Sequence, residues 1–192
     1  MNGIKEEWIA ELSSPDDSAR AHGGGEIFAV GQSLAEPIVR NWMADEELAR
    51  LLGPQPAVTV GLAVRPEIFA RIRQANDWPR LADVPPEQDA SEFELLFPGH
   101  VALDVLTSRE PDGSGAIAKF LLKFGEGIQQ VELRCSDVNR ATAMLKEKFG
   151  VSAVYPETRP GADGTRVNFV LVPGTDGRKV LIEFYEAAEI RF

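Results

Sequence analysis

The sequence predicts an α+β fold of two βαβββ modules preceded by a helical extension. Two stretches, residues 58–64 and 128–134, are apolar-rich strands that each run into a helix, and each helix is followed by three strand-like runs. A duplicated unit usually pairs about a pseudo-twofold axis, so equivalent strands are expected to converge on one cleft. The 192-residue chain is 44% hydrophobic, which is enough for a globular core.

The helical extension is predicted to span residues 1–54. Helical patterns cover 4–12 and 26–52, with cap and start residues at 14–17 between them. Three consecutive glycines at 23–25 weaken any helix that crosses them. Trp8 and Trp42 are expected to anchor the extension to the main body. The Gly-Pro-Gln-Pro run at 53–56 then ends the helical pattern.

The remaining residues, 55–192, are predicted to form one domain of two modules, at about 55–115 and 125–190. The first helix is expected at 66–77, where Pro66 starts it, and the second at 137–149, where Asp137 caps it. A third, short helix is expected at 116–123, after a loop at 110–115. The predicted strands lie at 57–64, 80–84, 91–97 and 100–107 in the first module and at 128–135, 152–156, 165–172 and 179–186 in the second.

Charge and composition exclude several classes of partner. The net charge of −10 opposes binding to a phosphate backbone, so nucleic acid is not an expected partner. No apolar run is long enough to span a membrane, and no signal-peptide pattern is found. The single cysteine, Cys135, fits a reducing compartment. We therefore expect a cytoplasmic protein that does not bind membranes.

Strand alternation collects polar side chains on one face of the predicted sheet. Gly61 and Ala63 are small residues on this face and leave room for a ligand, which favours a small-molecule cleft over a merely solvated sheet. Alternation alone leaves both interpretations open. The polar residues concerned are Thr59, Glu92, Glu94, Asp104, Gln130, Glu132, Arg134, Arg166, Asn168 and Glu183.

From Thr59 onward, the order of motifs resembles that of the methylmalonyl-CoA epimerases, within the vicinal oxygen chelate superfamily that also contains glyoxalase I. The resemblance covers about two-thirds of the chain and implies the fold of that superfamily. The matching segments are residues 60–64, 86–88, 117–121, 125–128, 161–169 and 180–183.

The resemblance implies a divalent metal held by residues on four strands. The corresponding positions are Thr59, Asp104, Gln130 and Glu183, so the two histidines of the epimerases are replaced by threonine and glutamine. Oxygen ligands suit Mg, Mn or Ca better than Zn or Co. We therefore expect either a hard divalent cation bound by Asp104, Gln130 and Glu183 or no metal.

The resemblance also implies two acid–base carboxylates, Glu92 and Glu183, for removing and returning a proton next to a carbonyl. The first functional hypothesis is thus an isomerase, epimerase or lyase. The alternative is a metal-free protein that binds or sequesters a small molecule and has lost catalysis. The ligand could be an acyl-CoA, and the resemblance allows a homodimer. The residues expected to contact substrate are Thr59, Glu94, Arg134, Arg166 and Asn168.

Overall fold

The computed structural model describes residues 4–174, 177 and 179–187. They form two compact units. The first contains the described residues up to Gly31 together with Thr59–Gln129, and the second contains Gln32–Val58 and the described residues from Gln130 onward. The helical extension is thus divided between the units, and the predicted end of the second module at residue 190 lies outside the described residues.

The first unit contains strands β1 (Val58–Ala63), β2 (Ala90–Phe97) and β3 (Val101–Ser108), which are hydrogen-bonded in the order β2-β3-β1. Strands β1 and β3 are parallel, and β2 is antiparallel to β3. Helix α4 begins at Pro66 and packs its Phe69 ring against Phe93, with 4.7 Å between ring centroids. The helices of this unit are α1 (Glu6–Glu11), the first part of α2 (Asp17–Met43), α4 (Pro66–Ala75) and α5 (Ala116–Phe124).

The second unit repeats this arrangement and adds a fourth strand. Strands β4 (Gly127–Arg134), β5 (Arg159–Pro160), β6 (Arg166–Pro173) and β7 (Lys179–Glu186) are hydrogen-bonded in the order β4-β7-β6-β5. Strands β4 and β7 are parallel, and β6 is antiparallel to β7. Helix α6 begins where Asp137 accepts a hydrogen bond from the Arg140 backbone N–H, and it packs on β6 and β7. The helices of this unit are the rest of α2, α3 (Glu46–Leu52) and α6 (Val138–Phe149).

The repeated βα pattern and the α+β class are confirmed, but two predicted strands are not. Residues 80–84 have no strand structure, and the segment 152–156 forms only a single bridge, Ala153 to Val170. The reason in the second case is a side chain. Asn168 accepts a hydrogen bond from the Tyr155 N–H at 3.3 Å and donates one to the Tyr155 carbonyl at 3.1 Å, so these backbone groups are not available for a ladder.

Helix α2 crosses the glycine run that was expected to weaken it. A Cβ atom on Gly23 would lie 2.5 Å from the carbonyl oxygen of Trp8, and one on Gly24 would lie 2.5 Å from the Phe97 ring. The glycines therefore allow α2 to approach α1 and β2 closely. Trp42, near the end of α2, is buried and lies 5.6 Å from Phe184 between ring centroids, as expected for an anchor. None of the described helices combines the length and apolarity needed to cross a bilayer.

Candidate functional site

The polar face of the first unit carries a row of acidic residues. Asp104 on β3 pairs with Glu94 on β2 and with Gly61 on β1, so all three lie in one row on one face. Gly61 has no side chain, which leaves space beside the half-buried Asp104. Glu92 and Thr59 lie two residues from this row on the same face. The first unit therefore presents three carboxylates and one hydroxyl group on one face of its strands.

The second unit brings together Gln130, Glu132 and Glu183. Glu132 on β4 pairs with Glu183 on β7, and Gln130 lies two residues before Glu132 on the same face. The amide Nε2 of Gln130 donates to Glu132 Oε1 at 3.1 Å and to Glu183 Oε2 at 2.5 Å. Gln130 and Glu132 are buried, and Glu183 is half-buried. One amide group thus links two carboxylates that sit side by side on neighbouring strands.

This cluster contains three of the polar residues that alternation had placed on one face. Gln130 and Glu183 were expected to be metal ligands, whereas Glu132 was not assigned a role. The signal that groups Glu132 with Gln130 is their spacing of two residues in β4, which puts both side chains on one face. Asp104, the third expected ligand, lies on β3 in the first unit.

The hydrogen-bonded cluster does not fit a cation in its present form. Among the residues that the structure describes, no group of three or more His, Cys, Asp or Glu side chains is placed to hold a metal ion. Gln130 turns its amide nitrogen, a hydrogen-bond donor, toward both carboxylates. A cation would require the amide oxygen in that direction instead.

Arg166 and Asn168 do not share the face of Glu183, contrary to expectation. The β6–β7 register pairs Asn168 with Phe184 and Arg166 with Glu186, whereas Phe169 pairs with Glu183. Asn168 is buried with an exposed fraction of 2%, and its amide bonds the Tyr155 backbone. The Arg166 guanidinium donates to Glu186 at 2.5 Å. Both residues therefore stabilise the side of the sheet opposite to Glu183.

Aromatic and cationic side chains continue the Glu183 face toward β5. Phe169 is the neighbour of Glu183 in the sheet. The centroids of the Tyr155 and Phe169 rings are 6.0 Å apart, and the two ring planes make an angle of 77°. The Arg159 guanidinium carbon lies 3.8 Å from the centre of the Tyr155 ring. Arg134, an expected substrate contact, is exposed at the end of β4 on the same face as Glu132.

Neither histidine lies on a strand. His22 is in α2, where its Nδ1 is 2.7 Å from Glu11 Oε2, and this hydrogen bond raises the pKa of the imidazole. His100 is exposed in the turn between β2 and β3, with φ of 62°. Burial raises the pKa of the Cys135 thiol to about 12. Because the thiolate is the reactive form, this cysteine is unsuited to act as a nucleophile.

Comparison with known proteins identifies the superfamily to which the chain belongs. No family model matches the chain. No curated protein matches it either. Among solved structures, the methylmalonyl-CoA epimerase from Mycobacterium tuberculosis is 31% identical with a TM-score of 0.57, and the match covers 72% of this chain and 91% of that chain. This chain belongs to the vicinal oxygen chelate superfamily.

Two further structures support membership of the superfamily. A hypothetical protein from Bacillus halodurans is 26% identical, with a TM-score of 0.56, over 70% of this chain and 95% of that chain. A variant of the Streptomyces coelicolor methylmalonyl-CoA epimerase, in complex with 2-nitronate-propionyl-CoA, is 25% identical, with a TM-score of 0.54, over 68% of this chain and 95% of that one. The βα repeat of each unit is therefore the vicinal oxygen chelate repeat.

Proposed function

We propose that this vicinal oxygen chelate protein is an isomerase or lyase that removes a proton next to the carbonyl group of a small molecule. An acyl-CoA thioester is the favoured substrate class, because epimerases of such a thioester are similar to this chain. The observation that carries the proposal is the Gln130, Glu132 and Glu183 cluster. A carboxylate on a sheet face, held by an amide and only half-buried, is a suitable general base.

In the proposed reaction, Glu183 accepts the proton from the carbon next to the carbonyl. The electron pair of the broken C–H bond moves to the carbonyl oxygen and forms an enolate. A second carboxyl group then returns a proton to the carbon, and Glu92 is the residue that the resemblance assigns to this step. The Gln130 amide has two N–H groups, so it is able to hold Glu183 in position with one of them.

A divalent cation at Asp104, Gln130 and Glu183 stays a prediction. Carboxylate and amide oxygens would favour Mg, Mn or Ca, and a cation there would stabilise negative charge on the carbonyl oxygen. Binding would require the Gln130 amide to turn its oxygen toward the carboxylates. The proton transfers above are therefore assigned to side chains of the protein alone.

Deuterium exchange tests the proposal without requiring knowledge of the product. We would incubate the protein with methylmalonyl-CoA in deuterated water and follow exchange at the acidic carbon by mass spectrometry. General base catalysis contributes about 100-fold or more, so Glu183→Gln should lower the exchange rate by at least about that factor. Glu147→Gln, on the exposed side of α6, is the matched control and should exchange as the wild type does. Absence of exchange by the wild-type protein would refute the proposal.

A metal-free binding protein is the second candidate. It is favoured by the hydrogen bonds of Gln130, which satisfy oxygens of both carboxylates without any cation. This candidate predicts that thioesters bind, as measured by isothermal titration calorimetry, while no deuterium is incorporated. Binding together with exchange would exclude it.

A further inference from the structure

The Glu183 face of the second unit includes a cation as well as the carboxylates. Arg159 on β5 pairs with Val167 on β6, and Val167 pairs with Tyr185 on β7. Since Glu183 lies two residues before Tyr185, Arg159 and Glu183 share one face of the sheet. Standard strand spacings separate their Cα atoms by about 12 Å. An arginine side chain covers much of that distance.

The guanidinium of Arg159 is held by an aromatic ring. Its central carbon lies 3.8 Å from the centre of the Tyr155 ring, and Tyr155 contacts Phe169 edge to face at 6.0 Å. Stacking of this kind fixes the plane of the guanidinium and leaves its N–H groups available at the edge. Phe169 in turn lies beside Glu183 in the sheet. The Tyr155 and Phe169 rings therefore lie between the Arg159 guanidinium and Glu183, the proposed base.

Arg159 forms no ion pair with the carboxylates of residues 4–174 and 179–187. None of the ion pairs found within the described residues includes it, whereas Arg166 on the neighbouring strand is paired with Glu186. The chain has 30 acidic and 20 basic residues, so carboxylates are not scarce. An exposed guanidinium that is oriented by a ring and not neutralised by any carboxylate in the described part of the chain is suited to bind an anion.

We propose that Arg159, held by Tyr155, binds an anionic group of the ligand through a guanidinium fork. This inference rests on the proposed function, since it places the anion on the same face as Glu183. The ligand class is a carbonyl compound that also carries a carboxylate or a phosphate group. Carboxylate and phosphate share the geometry that a guanidinium recognises.

Three thioesters distinguish the two sources of the anion. Methylmalonyl-CoA has an acyl carboxylate and phosphates, isobutyryl-CoA has only the phosphates, and the N-acetylcysteamine thioester of methylmalonic acid has only the carboxylate. We would measure the Kd of each by isothermal titration calorimetry for the wild type, Arg159→Gln and Arg159→Lys. The control is Arg71→Gln, which removes an exposed arginine of α4.

We expect Arg159→Gln to weaken binding by about tenfold or more, because it removes charge-assisted hydrogen bonds, and Arg159→Lys to have an intermediate effect. Loss confined to the two methylmalonyl thioesters supports recognition of the acyl carboxylate, and loss confined to the two CoA thioesters supports recognition of phosphate. Equal loss for all three probes, a change no larger than that of Arg71→Gln, or a wild type that binds none of them would overturn the proposal. Normal binding without deuterium exchange would refute the isomerase function. The role of Arg159 in binding would still be decided by the Kd values of its variants.

Discussion

The three consecutive glycines of α2 provide a quantitative test of how the helix packs. Alanine favours a helix over glycine by about 1 kcal/mol, so each Gly→Ala change begins with the same gain. The three positions differ in what the new methyl group meets. At Gly25 nothing lies within 4 Å, whereas at Gly23 the Cβ atom would lie 2.5 Å from the backbone carbonyl oxygen of Trp8 and 2.9 Å from Glu11 Cβ.

These contacts predict opposite effects for neighbouring substitutions. Gly25→Ala should stabilise the protein by about 1 kcal/mol. Gly23→Ala should be net destabilising by about 1 kcal/mol, because the backbone of α1 must move and overpacking costs about 1–3 kcal/mol. Gly24→Ala should fall between them, since the atom that it meets belongs to the partly exposed Phe97 ring, which is able to turn.

Thermal unfolding measures the difference directly. For a chain of this size, 1 kcal/mol corresponds to a Tm change of about 2–4 °C, so Gly25→Ala and Gly23→Ala should differ by about 4–8 °C. Differential scanning calorimetry at one pH and one protein concentration is the assay. Equal Tm increases for both variants would show that α2 does not approach α1 as closely as the structure has it, and the reasoning would fail.

Other predictions concern metal, pH and the thiol. If protein purified without chelator retains a divalent cation, elemental analysis should find Mg, Mn or Ca and not Zn or Co, and Asp104→Ala should lose that cation; stoichiometric zinc would contradict the oxygen-ligand site, and no metal would favour the metal-free binding protein. The Lys148 ammonium lowers the pKa of Asp45 below its ordinary value of 3.8, so this ion pair should contribute stability above that pH and lose it as the pH falls through the lowered pKa. The Tm difference between wild type and Lys148→Met should therefore be small at pH 7, because the pair is exposed, and vanish near pH 2. Cys135, with a thiol pKa of about 12, should react with a disulfide reagent at pH 8 only after denaturation, and rapid reaction of the folded protein would argue against its burial.

Much of the fold could be predicted from local patterns. The helices that begin at Pro66 and Val138 start where the sequence has N-terminal helix signals, and β2, β3, β6 and β7 lie within two residues of their expected bounds. One of the two failed strand predictions has a tertiary cause. Residues 152–156 have a strand-like composition, but the Asn168 side chain binds the Tyr155 backbone groups that a ladder would use. No pattern within residues 152–156 predicts that a side chain from a distant strand binds these backbone groups.

The site was predicted only in part. Alternation along β4 and β7 identified Gln130, Glu132 and Glu183 as polar residues on strands, and the structure joins them through one amide. The same reasoning grouped Asn168 with them, because alternation tells which residues of one strand share a face but not which face meets the next strand. The register between β6 and β7 decides that, and it puts Phe169 beside Glu183.

The sequence by itself determined the α+β class, the repeat of a strand and a helix, and a supply of 30 acidic residues with only two histidines. These properties depend on amino-acid composition and on the spacing of apolar residues over a few positions, and both are read from short stretches of the chain. Only the tertiary structure decided that α2 continues through its glycines, because the close approach of Trp8 and Phe97 comes from residues distant in the chain. It also decided that Arg159 lies on the face of Glu183, since that placement depends on hydrogen-bond register across three strands and not on any pattern along one of them.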